Sequence, residues 1–308
     1  MGKRSLVCDH DFTKTEIIQI FDRAKKVKAE VKSGKLVPYL AGKTLGMIFE
    51  KSSTRTRVSF EVGMYQLGGS GLFLSAKDIQ LGRGETTEDT AKVLGRYVDI
   101  IMARTFEHSK VEDLAKYSGV PVINGLTDLL HPCQALTDYY TAYEKGKKLE
   151  GMKLAYLGDG NNMAHSLMLT GAILGCHVVI CSPEGMAPDA DIVNKAKQLA
   201  LKAGGSVNVT EDPREACKNA DVVYTDVWAS MGQEAEFAKK EKILRPYQVN
   251  KELFSLAKPD AFFMHCLPAH RGEEVTGDVI DGPNSVIFDE AENRLHVQKS
   301  IILFLMEK

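Results

Sequence analysis

The sequence predicts an α/β protein with two similar-sized domains, each with a parallel sheet flanked by helices, joined by interdomain helices. Short apolar runs alternate with amphipathic segments along the chain, which is typical of successive strand–helix–strand units. The length of 308 residues suits two domains of roughly 150 residues each. A polar stretch at 144–148 separates two alternating series and is the best domain boundary.

The first series begins with a capping box, Thr13 to Glu16, followed by apolar residues at helical spacing up to about Gly34. The apolar run 44–49 predicts a buried strand, and the helix after it stops at Gly68-Gly69. The remaining segments are strands at 71–74, 100–103 and 120–124, a polar loop at 77–85, and helices from about residue 87, from a cap at Ser109 and from Pro132.

The second series repeats this alternation after the polar stretch. It closes with an amphipathic helix through Leu295, Ile302 and Leu305. The predicted strands are 153–157, 177–181, 207–209, 221–225, 261–264 and 286–288, and the predicted helices are 162–174 and 189–203.

The composition excludes several classes of function. Lys and Arg number 39 against 41 Asp and Glu, so the chain lacks the positive excess that nucleic-acid and membrane-surface binding require. No apolar run reaches transmembrane length, and the N-terminus lacks the apolar core of a signal peptide. The six cysteines form no C-x-x-C pair, which favours reduced thiols in a cytosol.

Residues 50–61 connect a predicted strand to a predicted helix through hydroxyls and two arginines. The first N–H groups of a helix have no intrahelical partner, and the helix dipole favours negative charge there. Arg55 and Arg57 add forked donors that match phosphate oxygens. The alternative is an ordinary Ser/Thr cap with two solvated arginines, but a cap needs only one hydroxyl. The stretch therefore predicts an anion site.

The turn Gly158-Asp159-Gly160-Asn161-Asn162-Met163 lies where a dinucleotide fingerprint would lie. Met163 replaces the third glycine, and no acid ends the next strand, so the NAD signal is weak. A tight turn is the better interpretation. In a third interpretation, Asn161 or Asn162 directs a side-chain amide at a ligand.

His131-Pro132-Cys133-Gln134 opens a helix, where the dipole disfavours a charged imidazole. A neutral ring there can donate to a carbonyl oxygen, although a surface histidine at a cap is the commoner case. Arg294, near the start of the last helix, is either an anion donor or a solvated arginine.

Two further polar segments follow predicted buried strands. Asp226 stands at a strand end, where it suits a ligand ammonium group or a simple turn cap. Cys266 is either a thiol with a perturbed pKa in a cleft or a buried core thiol. The spacing of His265, Cys266 and His270 fits no familiar zinc pattern, so we predict no metal.

Taken together, these segments resemble the aspartate/ornithine carbamoyltransferase family over nearly the whole chain. The motifs Ser53-Thr54-Arg55-Thr56 and His131-Pro132-Cys133-Gln134 occur in both branches of the family and specify carbamoyl phosphate. The Ser-Met-Gly and His-Cys-Leu-Pro motifs resemble the ornithine branch, since the aspartate branch is expected to carry His-Pro-Leu-Pro and a lysine where this chain has Gln80. The motifs, in family order, are Ser53-Thr54-Arg55-Thr56, Arg104, His131-Pro132-Cys133-Gln134, Asp226…Ser230-Met231-Gly232, His265-Cys266-Leu267-Pro268 and Arg294.

The resemblance implies transfer of the carbamoyl group of carbamoyl phosphate to the side-chain amine of L-ornithine, with no cofactor. The products are L-citrulline and phosphate. The implied catalytic residues are Arg104, His131, Asp226 and Cys266. The implied carbamoyl phosphate contacts are Ser53, Thr54, Arg55, Thr56, Gln80, Arg104, His131, Gln134, Cys266, Leu267 and Arg294, and the implied ornithine contacts are Leu126, Asn162, Asp226, Ser230 and Met231.

The resemblance also implies how the chain is organised. Residues 1–146 are expected to bind carbamoyl phosphate, 147–290 to bind ornithine, and 291–308 to form a helix returning to the first domain. The expected assembly is a cytoplasmic homotrimer in which Gln80 reaches a neighbouring subunit's site. Assembly of trimers into larger complexes is compatible with the resemblance. No nucleic acid or membrane partner is implied. The alternatives are an NAD-dependent oxidoreductase, a non-catalytic phosphate-ligand-binding protein, and relatives acting on putrescine or N-acetylornithine.

Overall fold

The structure is a computed structural model that describes residues 3–228 and 237–307. Within these ranges the chain forms two parallel sheets with helices between successive strands, so the predicted fold class is confirmed. The chain divides into two compact units, Met1–Leu136 with Glu292–Lys308 and Thr137–Ala291. This division falls inside two helices, and the domain boundaries at residues 146 and 290 stay a prediction.

In the first unit, parallel strands alternate with helices, and the C-terminal helix of the chain belongs largely to this unit. The strands are β1 (Thr44–Phe49), β2 (Ser70–Ser75), β3 (Ile100–Arg104) and β4 (Val122–Leu126), in the sheet order β2–β1–β3–β4. The helices are α1 (Lys14–Lys32), α2 (Thr54–Gln66), α3 (Thr87–Leu94), α4 (His108–Tyr117), the start of α5 (Pro132–Glu144) and most of α12 (Ile287–Glu307), with 3-10 turns at Asp9–Asp11 and Gln80–Arg83.

The second unit has the same alternation around five parallel strands within the described residues. Its strands are β5 (Lys153–Leu157), β6 (His177–Cys181), β7 (Ser206–Thr210), β8 (Val222–Thr225) and β9 (Phe262–His265), in the order β7–β6–β5–β8–β9. Its helices are α6 (Asn162–Leu174), α7 (Ala190–Ala203), α8 (Pro213–Cys217), α9 (Phe237–Leu244), α10 (Lys251–Phe254) and α11 (Gly277–Ile280). No helix in the described ranges is long and apolar enough to cross a membrane.

Each sheet has one point where the chain order of the strands reverses. In the first sheet this point lies between β1 and β3, and in the second between β5 and β8. Open parallel sheets bind ligands beyond the carboxyl ends of strands at such a point. The segments that follow these four strands start at residues 50, 105, 158 and 226, and the first, third and fourth of them carry predicted site residues, among them Arg55, Asn162 and Asp226.

The central strands are mostly buried, and their sequences are largely apolar, as is usual for parallel strands between layers of helices. All residues of β3 and β8 are buried. Strand β2 differs, since it lies at the edge of its sheet and leaves Leu72 and Phe73 48% and 36% exposed.

Two local predictions are wrong. Residues 286–288 do not form a strand; only Ser285 makes an isolated bridge with Phe263, and Ile287 begins α12. The acids Asp289 and Glu290 in the first turn favour the helix through its dipole. Ser109 does not cap α4, because that helix already begins at His108. The capping box at Thr13 is confirmed: its Oγ1 accepts from Glu16 N, and Glu16 accepts from Thr13 N.

Gly171 lies where α6 packs on the buried side of the second unit. A Cβ there would lie 2.1 Å from Tyr139 Oη and 2.6 Å from Val178 Cγ2. Tyr139 cannot move freely, because it is fully buried and donates to Leu167 O at 2.8 Å. The clash, about 1–3 kcal/mol, exceeds the helix propensity gain of about 0.5–1 kcal/mol.

We therefore expect Gly171→Ala to lower the free energy of unfolding of this unit by about 1–2 kcal/mol, measured by chemical denaturation. Gly277→Ala is the control, because its Cβ would meet nothing closer than Asp281 Oδ2 at 3.9 Å. Equal denaturation midpoints for the two variants would show that the Tyr139 contact is not tight.

Candidate active site

The predicted anion site forms the first turn of α2, directly after β1. Ser53 is the N-cap, and its Oγ accepts from Thr56 N at 3.2 Å. Thr54 and Arg55 are the first two helical residues, and Thr56 is almost fully buried. The stretch therefore contains both a cap and three further side chains in the first turn, where helix N–H groups and dipole favour an anion.

Arg57 is not part of this turn's ligand face, so the paired-arginine interpretation is wrong for it. Its side chain is exposed, lies 3.4 Å from Glu61, and stacks over the Phe73 ring at 3.7 Å. Residues two apart on a helix point to different sides. Of the two arginines, Arg55 alone remains a candidate anion donor.

Arg294 connects several predicted residues. It lies on α12, is 3% exposed, and donates to three side chains. Its Nη1 donates to Gln134 Oε1, its Nη2 to Thr56 Oγ1 at 3.3 Å, and its Nε to Gln298 Oε1 at 2.9 Å. Arg294 is therefore a buried cation in contact with two predicted ligand residues, and the interpretation as a solvated helix arginine is wrong.

His131 lies buried just before α5, and Arg104 ends β3 with 8% exposure. Burial, followed by the charges of Arg294, Arg104 and Arg55, holds the pKa of His131 well below its ordinary value. The neutral ring predicted from the helix dipole is explained in the structure by burial and three arginines. The ring is thus neutral near pH 7 and lies in a positive environment suited to an anion.

We expect the His131 ring to remain neutral when the pH falls below about 6.5, the pKa of an unperturbed imidazole. Because the unfolded chain binds this proton more readily than the folded one, His131 lowers the free energy of unfolding as the pH falls below about 6.5, and has no effect above it. An NMR titration of the ring C–H signals, with His131 assigned from the His131→Gln spectrum, checks this. A midpoint near 6.5 would contradict it.

The structure locates two further predicted residues in the first unit. Leu126 ends β4 in register with Arg104 and is half-buried. Gln80 begins the 3-10 turn after β2 and is exposed. No described contact joins Gln80 to the residues around Arg294.

In the second unit, the strand ends bring Asp226 and Cys266 together. The Cys266 thiol donates to Asp226 Oδ1 at 3.0 Å. Asp226 is 7% exposed, and it also accepts from its neighbour Val227 N at 2.8 Å and from Asn161 Nδ2 at 2.9 Å. Three donors therefore fix this carboxylate, and charged hydrogen-bond acceptors of this kind form the stronger bonds.

Cys266 is held as a thiol. Burial and the neighbouring Asp226 carboxylate raise its pKa well above the ordinary value. An S–H group donates a hydrogen bond but is a poor nucleophile and a poor base. Cys266 therefore serves as a hydrogen-bond donor to Asp226.

The zinc interpretation of His265, Cys266 and His270 finds no support in the geometry. His265 Nδ1 accepts from Leu267 N at 2.9 Å, which directs that ring nitrogen away from any metal. Cys266 is engaged with Asp226 instead.

Leu267, the next predicted ligand contact, is half-buried and has a left-handed backbone, at φ 57°.

The turn after β5 is a packed turn. A Cβ on Gly160 would lie 2.2 Å from Pro188 N, so the glycine is needed by the chain's own backbone, and Gly160 N donates to Met186 O at 2.8 Å. The backbone at 186–188 therefore packs directly against this glycine. This supports the tight-turn interpretation over NAD binding.

Sequence reasoning left open whether Asn161 or Asn162 contacts a ligand. Asn161 is the N-cap of α6: its Oδ1 accepts from Met163 N at 2.9 Å and from Ala164 N at 3.3 Å, while its Nδ2 reaches Asp226. Its amide is therefore used within the protein, and Asn162 is the first helical residue. Ser230 and Met231 lie outside the described residues.

Comparison with known proteins covers nearly the whole chain. Residues 4–144 match the family model of the aspartate/ornithine carbamoyltransferase carbamoyl-P binding domain, and residues 150–305 match the model of the Asp/Orn binding domain. An ornithine carbamoyltransferase of Thermococcus kodakarensis is 60% identical over 306 residues, covering 99% of this chain and 97% of the relative. One from Bacillus subtilis is 61% identical over 279 residues, covering 91% and 88%.

Solved structures agree as well. The ornithine carbamoyltransferase of Pyrococcus furiosus superimposes with a TM-score of 0.96 at 59% identity, covering 99% of this chain and 98% of that one. The enzyme of Burkholderia thailandensis gives 0.90 at 46% identity, with 98% of each chain covered.

Proposed function

The chain belongs to the aspartate/ornithine carbamoyltransferase family, and from that premise we propose that it transfers the carbamoyl group of carbamoyl phosphate to the side-chain amine of L-ornithine. The products are L-citrulline and phosphate, a step of arginine biosynthesis. The observation that carries the proposal is the buried cluster in which Arg294 donates to Thr56 and Gln134, while burial and three arginines keep His131 neutral.

Carbamoyl phosphate is a dianion with an amide-like end, and the first unit offers groups for both parts. The phosphate binds the first turn of α2, with Arg55 as the main side-chain clamp and Arg104 beside it. The carbonyl oxygen accepts from Thr56, Arg104 and neutral His131, and Gln134 binds the carbamoyl nitrogen. The remaining contacts are Ser53, Thr54, Gln80, Cys266, Leu267 and Arg294.

These donors lower the barrier because negative charge develops on the carbonyl oxygen when the amine attacks. Groups already fixed by the fold need no reorganisation at that moment, and loss of one such donor typically costs a factor of about 10² to 10³. Buried Arg104 and Arg294 are held in place before substrate binds. A neutral His131 suits this role, since its N–H can donate to the carbonyl oxygen without adding a buried charge.

The second unit binds the amine substrate. A primary amine with a pKa of about 10.4 is mostly protonated at neutral pH, and it must lose a proton before it attacks. Asp226 binds the ammonium group and accepts that proton, and Cys266 orients Asp226 through the S–H bond of 3.0 Å. The nitrogen–carbon bond forms as the bond to phosphate breaks, and the departing phosphate takes the second proton. Asn162, Ser230 and Met231 hold the α-amino and α-carboxylate groups, with Leu126 lining the pocket.

We further propose a homotrimer in which Gln80 completes a neighbouring subunit's site. Edge strands with exposed apolar side chains favour association, and β2 has this character at Leu72 and Phe73. Exposed Gln80 follows that strand. The proposed compartment is the cytoplasm, because none of the six cysteines, all in the described part of the chain, forms a disulfide.

Mixing two inactive variants tests the shared site. Gln80→Ala subunits lack the group given to a neighbour, and Arg55→Ala subunits lack the group kept in their own site. After denaturation and refolding together, we expect activity to return, because a Gln80→Ala subunit receives Gln80 from its partner. Light scattering should give three times the 33.9 kDa chain mass. No recovery from correctly assembled trimers would contradict the shared site.

A product assay tests the reaction itself. Purified protein is incubated with carbamoyl phosphate and, separately, ornithine, putrescine, N-acetylornithine or aspartate, and the carbamoylated amine is measured. We expect citrulline from ornithine at a rate at least about 10²-fold above the other products, because the buried polar groups of the site would stay unpaired with a wrong amine. Absence of every product from folded protein would favour a phosphate-ligand-binding protein, and saturable nicotinamide binding would favour the oxidoreductase.

A further inference from the structure

Gln298 lies one helical turn after Arg294 on α12 and is fully buried. Arg294 Nε donates to the Gln298 side chain at 2.9 Å. Since Nε offers only an N–H, the amide atom that faces it is the oxygen, and the amide NH₂ faces the other way. There it donates to Ser59 Oγ at 2.7 Å.

Ser59 connects Gln298 to the backbone of the anion turn. It lies on α2, and its hydroxyl accepts from Gln298 and donates to Arg55 O at 2.6 Å, with Thr56 O at 3.2 Å. The Ser59 hydroxyl hydrogen is donated to the Arg55 carbonyl, and the Ser59 oxygen accepts the bond from Gln298. The result is an unbroken path from the Arg294 guanidinium, through two side chains, to the carbonyl of Arg55.

A plain packing contact between α2 and α12 is the competing explanation. The same two helices have a second polar contact, in which Lys299 Nζ donates to Gln66 Oε1 at 2.8 Å. Gln66 is the last residue of α2, a full helix length from its first turn, and it reaches none of the proposed ligand residues through a described contact. Helix packing alone gives no reason why the Gln298 contact ends on a guanidinium that also donates to Thr56 and Gln134.

We propose that Gln298 and Ser59 are positioning residues for the carbamoyl phosphate site. A guanidinium is a planar fork, so a hydrogen bond that fixes Nε also fixes the directions of both terminal nitrogens. The Gln298–Ser59 relay thereby sets the Arg294 fork against the backbone of the turn that binds phosphate. This inference rests on the proposed function, because it assigns that turn to the phosphate of carbamoyl phosphate.

The test uses Gln298→Leu, Ser59→Ala, the double variant, and Lys299→Met as the control. Each is assayed for KM of carbamoyl phosphate, KM of ornithine, thermal stability, and the Kd of inorganic phosphate by calorimetry. Ser59→Ala is expected to fold, since Ala favours helix, and it keeps the test valid if Gln298→Leu does not fold. Lys299→Met removes a polar contact between the same helices that lies at the far end of α2.

We expect Gln298→Leu to weaken phosphate binding and raise KM for carbamoyl phosphate about tenfold, as the loss of a hydrogen bond to a charged group does. Ser59→Ala should act in the same direction, and the double variant should be no worse than Gln298→Leu, because both changes cut one path. KM for ornithine and the Lys299→Met values should stay within about twofold of the unaltered protein.

Two results would overturn the relay: a double variant whose loss equals the product of the single losses, or single variants that lose thermal stability without any change in phosphate affinity. The proposed function can fail separately. If the unaltered protein makes no citrulline, the reaction assignment is wrong, but the calorimetric measurements still decide whether Gln298 and Ser59 position the anion site.

Discussion

Asp226→Asn is expected to lower kcat/KM for ornithine about 10³-fold, within the range of about 10²–10⁴ for loss of a positioned acid or base. The amide can neither bind the ammonium group as a counter-charge nor accept its proton. It also presents an NH₂ group where Asn161 Nδ2 now donates at 2.9 Å, so one donor loses its acceptor. Steady-state kinetics with each substrate varied in turn measure the effect.

The half-saturation for carbamoyl phosphate should change little in this variant, because most of the proposed carbamoyl phosphate contacts, among them Arg55, Arg104 and His131, belong to the first unit. Asp191→Asn is the matched control, since Asp191 is an exposed carboxylate of the same unit. An equal loss of affinity for both substrates would count against the amine-binding role of Asp226.

Arg55→Ala is expected to raise the half-saturation for carbamoyl phosphate about 10²-fold or more. A guanidinium clamp makes two charge-assisted hydrogen bonds, each contributing about 1.5–3 kcal/mol, and 1.4 kcal/mol corresponds to a factor of ten. KM for ornithine should be much less affected. Initial rates of citrulline formation over a range of carbamoyl phosphate concentrations give the value.

Arg57→Ala is a close control for this change, because it removes the same type of side chain two residues away. Arg57 is exposed, pairs with Glu61 and stacks on Phe73, so its loss should leave carbamoyl phosphate use unchanged within about twofold. If Arg57→Ala were the more damaging of the two, the assignment of the clamp to Arg55 would be wrong.

The fold class could be predicted from the sequence because it depends on local patterns. Apolar runs bounded by polar turns locate β1, β3, β5 and β8, and the anion turn is legible because it follows a strand and opens a helix. The wrong strand prediction at 286–288 also comes from relying on a local pattern. A three-residue apolar run does not distinguish a strand from the start of a helix, and the acids of the next turn decided for α12.

Contacts within the site depend on residues far apart in the chain, which local patterns do not reveal. Arg294 reaches Thr56 across 238 positions, and Asn161 reaches Asp226 across 65. The resemblance to a known family supplied Arg294 as a ligand residue, but it gave no sign of Gln298 or of the role of Asn161. Arg57 is different, since helical spacing alone could have shown that it cannot face the same ligand as Arg55.

Carbon-13 NMR of a single reaction distinguishes carbamoyl transfer to ornithine from simple breakdown of carbamoyl phosphate. Carbamoyl phosphate labelled at its carbon is mixed with ornithine and the protein, and the label is followed with time. We expect the carbon signal of carbamoyl phosphate to be replaced by the ureido carbon of citrulline, with one phosphate released per citrulline, and Asp226→Asn to slow this conversion about 10³-fold. Label that appears only in carbamate or bicarbonate, with ornithine unchanged, would contradict carbamoyl transfer to ornithine.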